Sequence, residues 1–134
     1  MGNVLVAGPP CAGKTTYVRD HAPAAATVVC FDAIARRIGW PSTMPRPPFP
    51  VARAAEREVQ LLLDDVADSL ITDAWVIRTM AGPTRRAELA ARIHADVVLL
   101  VPPMAELVAR ARRRPSFDRT VRDINRWFER ERLG

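Results

Sequence analysis

The chain has 134 residues, a formal net charge of +5 and 49% apolar residues, which together predict one globular domain and exclude a chain that is disordered throughout. Its apolar runs, such as residues 95–101, are far shorter than the roughly 20 residues of a membrane-spanning helix. No signal peptide is visible, and two cysteines, Cys11 and Cys30, do not make a disulfide framework, so we expect a cytoplasmic protein without membrane partners.

Short apolar runs alternate with helical patterns, which predicts βαβ units around a parallel sheet. The predicted strands are residues 3–7, 27–31, 74–77 and 95–101. The predicted helices are residues 15–20, 33–38, 51–70, 83–93 and 104–114, with a last helix capped by Ser116 or Asp118. We therefore expect an α/β protein with a parallel sheet of about four strands and helices on both faces.

Three helices carry patterns that indicate which side chains are buried. The helix at 51–70 has an apolar stripe of Val51, Ala55, Val59, Leu62, Val66 and Leu70. The helix at 83–93 is expected to expose Arg85, Arg86, Glu88 and Arg92. The last helix places Val121, Ile124 and Phe128 on one face, and Trp75 and Trp127 are expected in the core.

A proline-rich segment separates the second and third predicted helices. Residues 41–50 contain five prolines, a density that no helix or central strand tolerates. We expect a stiff surface loop there, which is either a plain connector or a flap on the substrate side. Trp40 and Phe49 flank this loop and are candidates for stacking on a nucleobase in a single-stranded nucleic acid.

One motif carries chemistry. Residues 8–15 (GPPCAGKT) match G-x-x-x-x-G-K-[ST], directly after an apolar strand and before a helix. Glycines let this backbone approach phosphate oxygens, and its N–H groups form an anion nest at the helix N-terminus. The lysine reaches the β- and γ-phosphates and the threonine hydroxyl binds Mg²⁺. The expected ATP-binding residues are Gly8, Pro9, Pro10, Cys11, Ala12, Gly13, Lys14, Thr15 and Thr16, with Thr15 as metal ligand.

The composition of the basic residues supports the motif. Of the 20 Lys and Arg residues, Lys14 is the only lysine. Because a compact ammonium and a planar guanidinium are not interchangeable, its retention indicates a site that needs an ammonium. The basic balance is compatible with nucleic-acid or nucleotide partners, and it equally serves solubility.

The order of motifs resembles a family. The phosphate-binding loop is followed by a strand ending in an acid (CFDAIARR), a third strand (WVIRT), an Arg-rich helix (PTRRAELAARI) and a basic segment (ARARRRP). This order is similar to the small P-loop kinases, most closely the polynucleotide kinase-like group of phage and bacteria. The resemblance implies a three-layer P-loop NTPase fold with strand order 2-3-1-4, one kinase-like domain over residues 1–134, and a lid at residues 104–116.

The resemblance also implies roles for four further residues. Asp32 would orient the acceptor hydroxyl or act as its base, and Arg36 would help to hold the substrate or the transferring phosphate. Arg110 and Arg114 would be lid arginines that neutralise charge on the phosphates. From the residues alone, Asp32 is equally a helix cap, and the arginines are equally a solvated helix end.

One position departs from the family pattern. The third strand of such kinases usually ends in an acid, whereas this chain has Arg78 there, and Asp73 precedes the strand. Either Mg²⁺ relies on Thr15, Asp32, water and phosphates, or Arg78 binds an acidic group, or catalysis is weak. We therefore keep three hypotheses. They are an ATP-dependent kinase acting on a nucleic acid or a small nucleoside or nucleotide, a nucleotide-binding regulatory module, and an ATPase coupled to nucleic acid.

Overall fold

The computed structural model describes residues 2–134, and this part of the chain contains four strands and six helices. The strands are β1 (Asn3–Ala7), β2 (Thr27–Cys30), β3 (Ala74–Arg78) and β4 (Ala95–Leu99). The helices are α1 (Lys14–His21), α2 (Phe31–Ile38), α3 (Phe49–Ala67), α4 (Pro83–Arg92), α5 (Met104–Ala111) and α6 (Phe117–Leu133). The predicted α/β class is confirmed.

The four strands form one parallel sheet in the order β2-β3-β1-β4, as expected. In the register of this sheet Leu5 lies beside Val76 on one side and beside Val97 on the other. Because all strands are parallel, the segments that follow them meet at one edge of the sheet. The glycine-rich loop after β1 (residues 8–15), the start of α2 and residues 79–81 therefore come together.

Successive side chains of each strand alternate between the two faces of the sheet. Leu5, Val29 and Val76 pack on one face in a core cluster with buried residues of α2, α3 and α4. Val6 and Ile77 pack on the other face against Val18 of α1. Helices thus cover both faces, which is consistent with a three-layer arrangement.

Helices α5 and α6 form a smaller core next to the glycine-rich loop. Leu107, Ala111 and Ile124 are fully buried there and pack with Cys11 and Ala12 of the loop. Trp127 of α6 is also buried, as predicted, whereas Trp75 is only half-buried.

The structure corrects several predicted details of the helices. Helix α3 begins at Phe49, inside the proline-rich segment, because Pro50 lies in its first turn, where a missing N–H costs no hydrogen bond. The helix ends at Ala67, so Leu70 leaves the apolar stripe and is 75% exposed, while Leu63 is buried. Arg86 was expected on the surface but is only 6% exposed, since it pairs with a carboxylate of α6.

Strand β4 lies at one edge of the sheet. Strand β4 pairs only with β1, and its Val97 and Leu99 remain about two-fifths exposed.

Within the described residues, no helix combines the length and the apolar character needed to cross a bilayer.

Candidate functional site

A cleft of about 1230 Å³ opens at the sheet edge where the strands end. It is bounded by the glycine-rich loop and α1, by the ends of β2 and β3, and by side chains from α4, α5 and α6. Its cationic side chains, among the described residues, are Lys14, Arg78, Arg85, Arg110, Arg113, Arg114, Arg126 and Arg130. Only Asp20, Asp32 and Asp123 oppose them there, so the cleft attracts anions.

The backbone of the glycine-rich loop restricts which amino acids can occupy some of its positions. A Cβ at Gly8 would lie 2.3 Å from the Leu100 carbonyl oxygen, so the close approach of β1 to β4 requires glycine. Gly13 has φ 88° and Cys11 has φ 69°, both in the left-handed region. The loop closes through the Ala12 N–H, which donates to the Pro9 carbonyl at 3.2 Å, and α1 begins immediately after it.

Lys14 lies across this loop. Its Nζ donates to the Gly8 carbonyl at 3.0 Å and to the Pro9 carbonyl at 2.8 Å, which leaves one of its three N–H groups for a ligand. The pKa of Lys14 is lowered from 10.5 to about 8, chiefly because the ammonium is buried; Asp32 acts to raise this pKa and Arg114 acts to lower it. The ammonium is therefore still charged at neutral pH, beside a helix N-terminus.

We expect the Lys14 ammonium to titrate near pH 8 in the free protein. Labelling with lysine that carries ¹³C at Cε gives a single NMR resonance, because the chain has only one lysine. Since the folded pKa lies below the unfolded value of 10.5, the unfolded chain binds more protons between these two values. Stability should therefore rise with pH from about 8 to 10.5 through this group.

The pKa of Lys14 can then be measured again with an anion bound. Inorganic pyrophosphate bound next to Lys14 should raise its pKa by about 1 unit or more, because an opposite charge favours the ammonium. A free-protein midpoint above 10, or a midpoint that does not move with pyrophosphate, would contradict a buried ammonium that receives an anion.

The predicted lid arginines meet the glycine-rich loop. Arg110 donates from Nη1 to the Cys11 carbonyl at 2.8 Å, and the same nitrogen lies 3.5 Å from the position of a Cβ at Gly13. Its Nη2 pairs with Glu106 one turn earlier in α5. Arg114 also lines the cleft and acts on the Lys14 ammonium, so the structure brings both arginines to the loop.

Asp32 and the two threonines are exposed to the cleft. Asp32 lies in the first turn of α2, but the N-cap residue of this helix is Cys30, which makes no side-chain cap hydrogen bond. The capping interpretation of Asp32 is therefore wrong. Its carboxylate is near enough to Lys14 to influence that ammonium, and Thr15 and Thr16 line the same cleft.

Arg36 is not brought to the cleft. Its guanidinium stacks on the Trp40 ring at 3.8 Å and donates to the Pro41 carbonyl at 2.8 Å. The cation–π contact and the hydrogen bond hold the side chain against the segment that follows α2. The expectation that Arg36 lies at the site is therefore wrong in this structure.

Arg78 at the end of β3 has a partner that the sequence did not indicate. Its two terminal nitrogens donate to the two carboxylate oxygens of Glu56 in α3, each at 3.1 Å. Burial raises the pKa of Glu56, but hydrogen bonds from Arg78 and Gln60 outweigh it, so the pKa lies below its usual value. An ion pair thus occupies the strand end where the family pattern has an acid.

Sequence reasoning missed the wall that α6 contributes to the cleft. Asp123, Arg126, Trp127 and Arg130 all line it. Their spacing of three and four residues places them on one helix face, which was a signal in the sequence. The prediction instead followed the apolar face of Val121, Ile124 and Phe128.

The residues of the cleft suit a ligand that brings its own phosphates. No group of three or more His, Cys, Asp or Glu side chains that could hold a metal ion is found among residues 2–134. Mg²⁺ in nucleotide sites usually takes only one or two protein oxygens and keeps waters and phosphate ligands. The exposed Thr15 hydroxyl fits that limited role.

Comparison of the chain with models of known protein families and with curated proteins gives no match.

Proposed function

We propose that the protein is a P-loop phosphotransferase that moves the γ-phosphoryl group of ATP to a hydroxyl of a nucleic acid, nucleoside or nucleotide. The observation that carries this proposal is the glycine-rich loop with Lys14 held across it. Its left-handed Gly13, the N-terminus of α1 and a cation at neutral pH together suit a polyphosphate. On this proposal the chain has the P-loop NTPase fold and works in the cytoplasm.

The donor nucleotide would be bound by residues 8–16. Backbone N–H groups of the loop would receive its phosphate oxygens, and Lys14 would give them its remaining N–H. Arg110 and Arg114 stand on the lid side of the same cleft, where cations neutralise charge that develops during transfer. Thr15 would hold Mg²⁺, which supplies further charge neutralisation when bound together with ATP.

The acceptor would be activated by Asp32, which occupies the edge of the cleft beside β2. Its carboxylate would accept the proton of the acceptor hydroxyl as the oxygen attacks the γ-phosphorus. The new bond joins that oxygen to phosphorus, and the bond between the γ-phosphorus and the β,γ-bridging oxygen breaks. The products are a phosphate monoester and ADP, and the proton is on Asp32 before it passes to water.

Asp32→Asn should lower phosphoryl transfer by about 10²- to 10⁴-fold, because the amide keeps the shape but accepts no proton. ATP affinity should change less than about threefold, because Asp32 does not belong to the loop. Transfer of label from γ-³²P-ATP to nucleosides and to DNA or RNA with a 5′-hydroxyl measures the first effect, and calorimetry measures the second. The matched control is Asp96→Asn, an exposed acid on the edge strand. Unchanged transfer in Asp32→Asn would contradict the role of this carboxylate.

A second candidate function is a nucleotide-binding regulatory module with little catalysis. The Arg78–Glu56 ion pair favours it, because the strand end that commonly offers a carboxylate to Mg²⁺ is occupied by a neutralised cation. This function predicts ATP or ADP binding without label on any acceptor. Release of inorganic phosphate that nucleic acid stimulates, again without labelled acceptor, would instead indicate an ATPase.

A further inference from the structure

Strand β4 has the composition of a central strand but lies at the edge of the sheet. Residues 95–101 read ADVVLLV, so five of these seven residues are Val or Leu. Strands that are buried on both faces of a parallel sheet have such nearly continuous apolar runs. Yet no strand lies beyond β4 within residues 2–134, and Val97, Leu99 and Val101 are 42%, 41% and 44% exposed. The strand is therefore suited to a neighbour that a single chain does not supply.

The backbone of β4 directs hydrogen-bonding groups toward that vacant side of the sheet. The Leu100 N–H donates to the Ala7 carbonyl of β1 at 2.9 Å, so the backbone of Leu100 faces inward. The N–H and C=O groups of successive residues in a strand point to opposite sides, and residues 96 and 98 therefore also face β1. The intervening residues face outward. These four residues, which we call the β4 edge, are Ala95, Val97, Leu99 and Val101.

The β4 edge lacks the features that usually prevent one sheet from pairing with another. Exposed edges commonly carry lysines, prolines or bulges. Asp96 is the only charged residue of this strand, and its register with β1 runs without a bulge from Ala95 to Leu99. None of the 20 Lys and Arg residues falls between positions 93 and 109. Two copies of this chain, each with a net charge of +5, therefore meet no cation of either strand when they approach here.

We propose that the β4 edge pairs with the β4 edge of a second copy of the chain, antiparallel and about a twofold axis, so that one sheet continues across both copies. A twofold contact uses the same surface on both partners, which a strand pairing with itself satisfies. This inference does not rest on the proposed function.

The backbone selects one register for this pairing. With the axis at Val98, Val97 lies opposite Leu99 of the second copy and Ala95 lies opposite Val101. All outward residues of both strands are then hydrogen-bonded, which gives about eight bonds, compared with about ten in a typical stable interface. The next outward residue is Pro103, which has no N–H and ends the ladder.

The side chains favour the same antiparallel register. Val97 shares a sheet face with Leu5, its partner in β1, and Leu99 and Val101 follow on that face. In the dimer these three side chains of each copy form one apolar row across the junction and cover their exposed surface. The two Asp96 residues are then about 14 Å apart along the strands, more than a Debye length of about 8 Å. A parallel pairing in register would instead place the two carboxylates side by side, which is destabilising.

The mass of the full chain in solution tests this interface. Light scattering after size exclusion, between about 1 and 200 µM protein, should give a mass that rises from 14.9 kDa toward twice that value. Amide hydrogen exchange of the unmodified chain locates the contact. The N–H groups of Val97 and Leu99 should become about tenfold or more protected at the higher concentration, while the inward N–H of Val98 should change less.

A charge on the β4 edge should prevent the pairing. Leu99→Lys places an ammonium opposite the apolar Val97 of the second copy, so we expect the dissociation constant of the dimer to rise about tenfold or more. The matched control is Val28→Lys, because Val28 is 46% exposed on β2, the strand at the other edge of the sheet. It should leave the dimer intact. Circular dichroism and thermal unfolding of both variants show that each is folded.

A cysteine substitution tests the register. Val98→Cys should form a disulfide-linked dimer in oxidised glutathione, because the two residues 98 face each other with Cα atoms about 4.5 Å apart, within the range of a disulfide. Val97→Cys is the matched control, since Val97 is more exposed but is offset by two residues from its counterpart. It should link far less. Both variants retain the native Cys11 and Cys30.

Three outcomes would count against the proposal. A chain that remains monomeric at about 200 µM would overturn the second copy as the partner and leave the β4 edge to a strand of another protein. A dimer that Leu99→Lys leaves intact would overturn pairing through this strand. Preferential linkage through Val97→Cys would overturn the register with its axis at Val98.

Discussion

Replacing Lys14 by methionine should weaken ATP binding and lower phosphoryl transfer by about 10²- to 10³-fold each, which is the scale of losing a charged donor at a phosphate. Methionine keeps the length of the side chain and removes the ammonium. The loss has two parts: the donor to the ligand disappears, and the carbonyls of Gly8 and Pro9 lose the group that bridges them. Calorimetric titration with ATP and labelled transfer measure both effects.

A second substitution makes this test specific for the ammonium. Lys14→Arg keeps a positive charge, but a planar guanidinium does not reproduce the compact donor between the Gly8 and Pro9 carbonyls, so we expect little rescue. Arg19→Ala, an exposed cation on the same helix, serves as the control for a general loss of charge. ATP affinity within threefold of the wild type in Lys14→Met would contradict the assignment of the loop.

Glu131→Ala should lower the free energy of unfolding by about 3 kcal/mol, because it leaves the buried Arg86 guanidinium without a partner. The Gly82 N–H loses its acceptor in the same variant. Chemical denaturation measures the change, with Glu129→Ala as the matched control, since Glu129 is an exposed carboxylate on the same helix. A loss below about 0.5 kcal/mol, the range of ordinary surface substitutions, would show that the Arg86–Glu131 ion pair contributes nothing to stability.

The stabilisation by the Arg86–Glu131 ion pair should depend on pH, and a second variant tests the contribution of the two charges. Hydrogen bonds from Arg86 hold the pKa of Glu131 below its ordinary value of 4.5. Its stabilisation is therefore fully present above the unfolded pKa and is lost as the pH falls through the folded pKa. The double substitution Arg86→Met, Glu131→Met should recover much of the loss, because it removes both charges from the buried pair.

The sequence predicted best those features that depend on residues close together in the chain. The apolar runs located the strands within one or two positions, and the GPPCAGKT motif located the loop that the structure places at the cleft. The strand order β2-β3-β1-β4 came from the family resemblance, because the spacing of elements along a chain does not define which strands are neighbours.

Contacts between elements that are far apart in the chain could not be predicted from the sequence. Glu56 and Arg78 are 22 residues apart and Arg86 and Glu131 are 45 apart, so no periodicity links either pair. For the same reason Arg86 was expected at the surface among other helix arginines. Arg36 was assigned to the site from the family resemblance, as the arginine one turn after Asp32. The contact of its guanidinium with the Trp40 ring depends on the three-dimensional path after α2.

The packing of α5 and α6 against the glycine-rich loop has a consequence for the thermodynamics of binding. Leu107, Ala111 and Ile124 share one core with Cys11 and Ala12, and Arg110 donates to the Cys11 carbonyl, so contacts within the chain fix the shape of the loop. A binding surface that is ordered before its ligand arrives loses little conformational entropy on association. On the proposed function, nucleotide affinity should therefore come from a preorganised cavity, with a small loss of conformational entropy on binding and with specificity set by rigid walls.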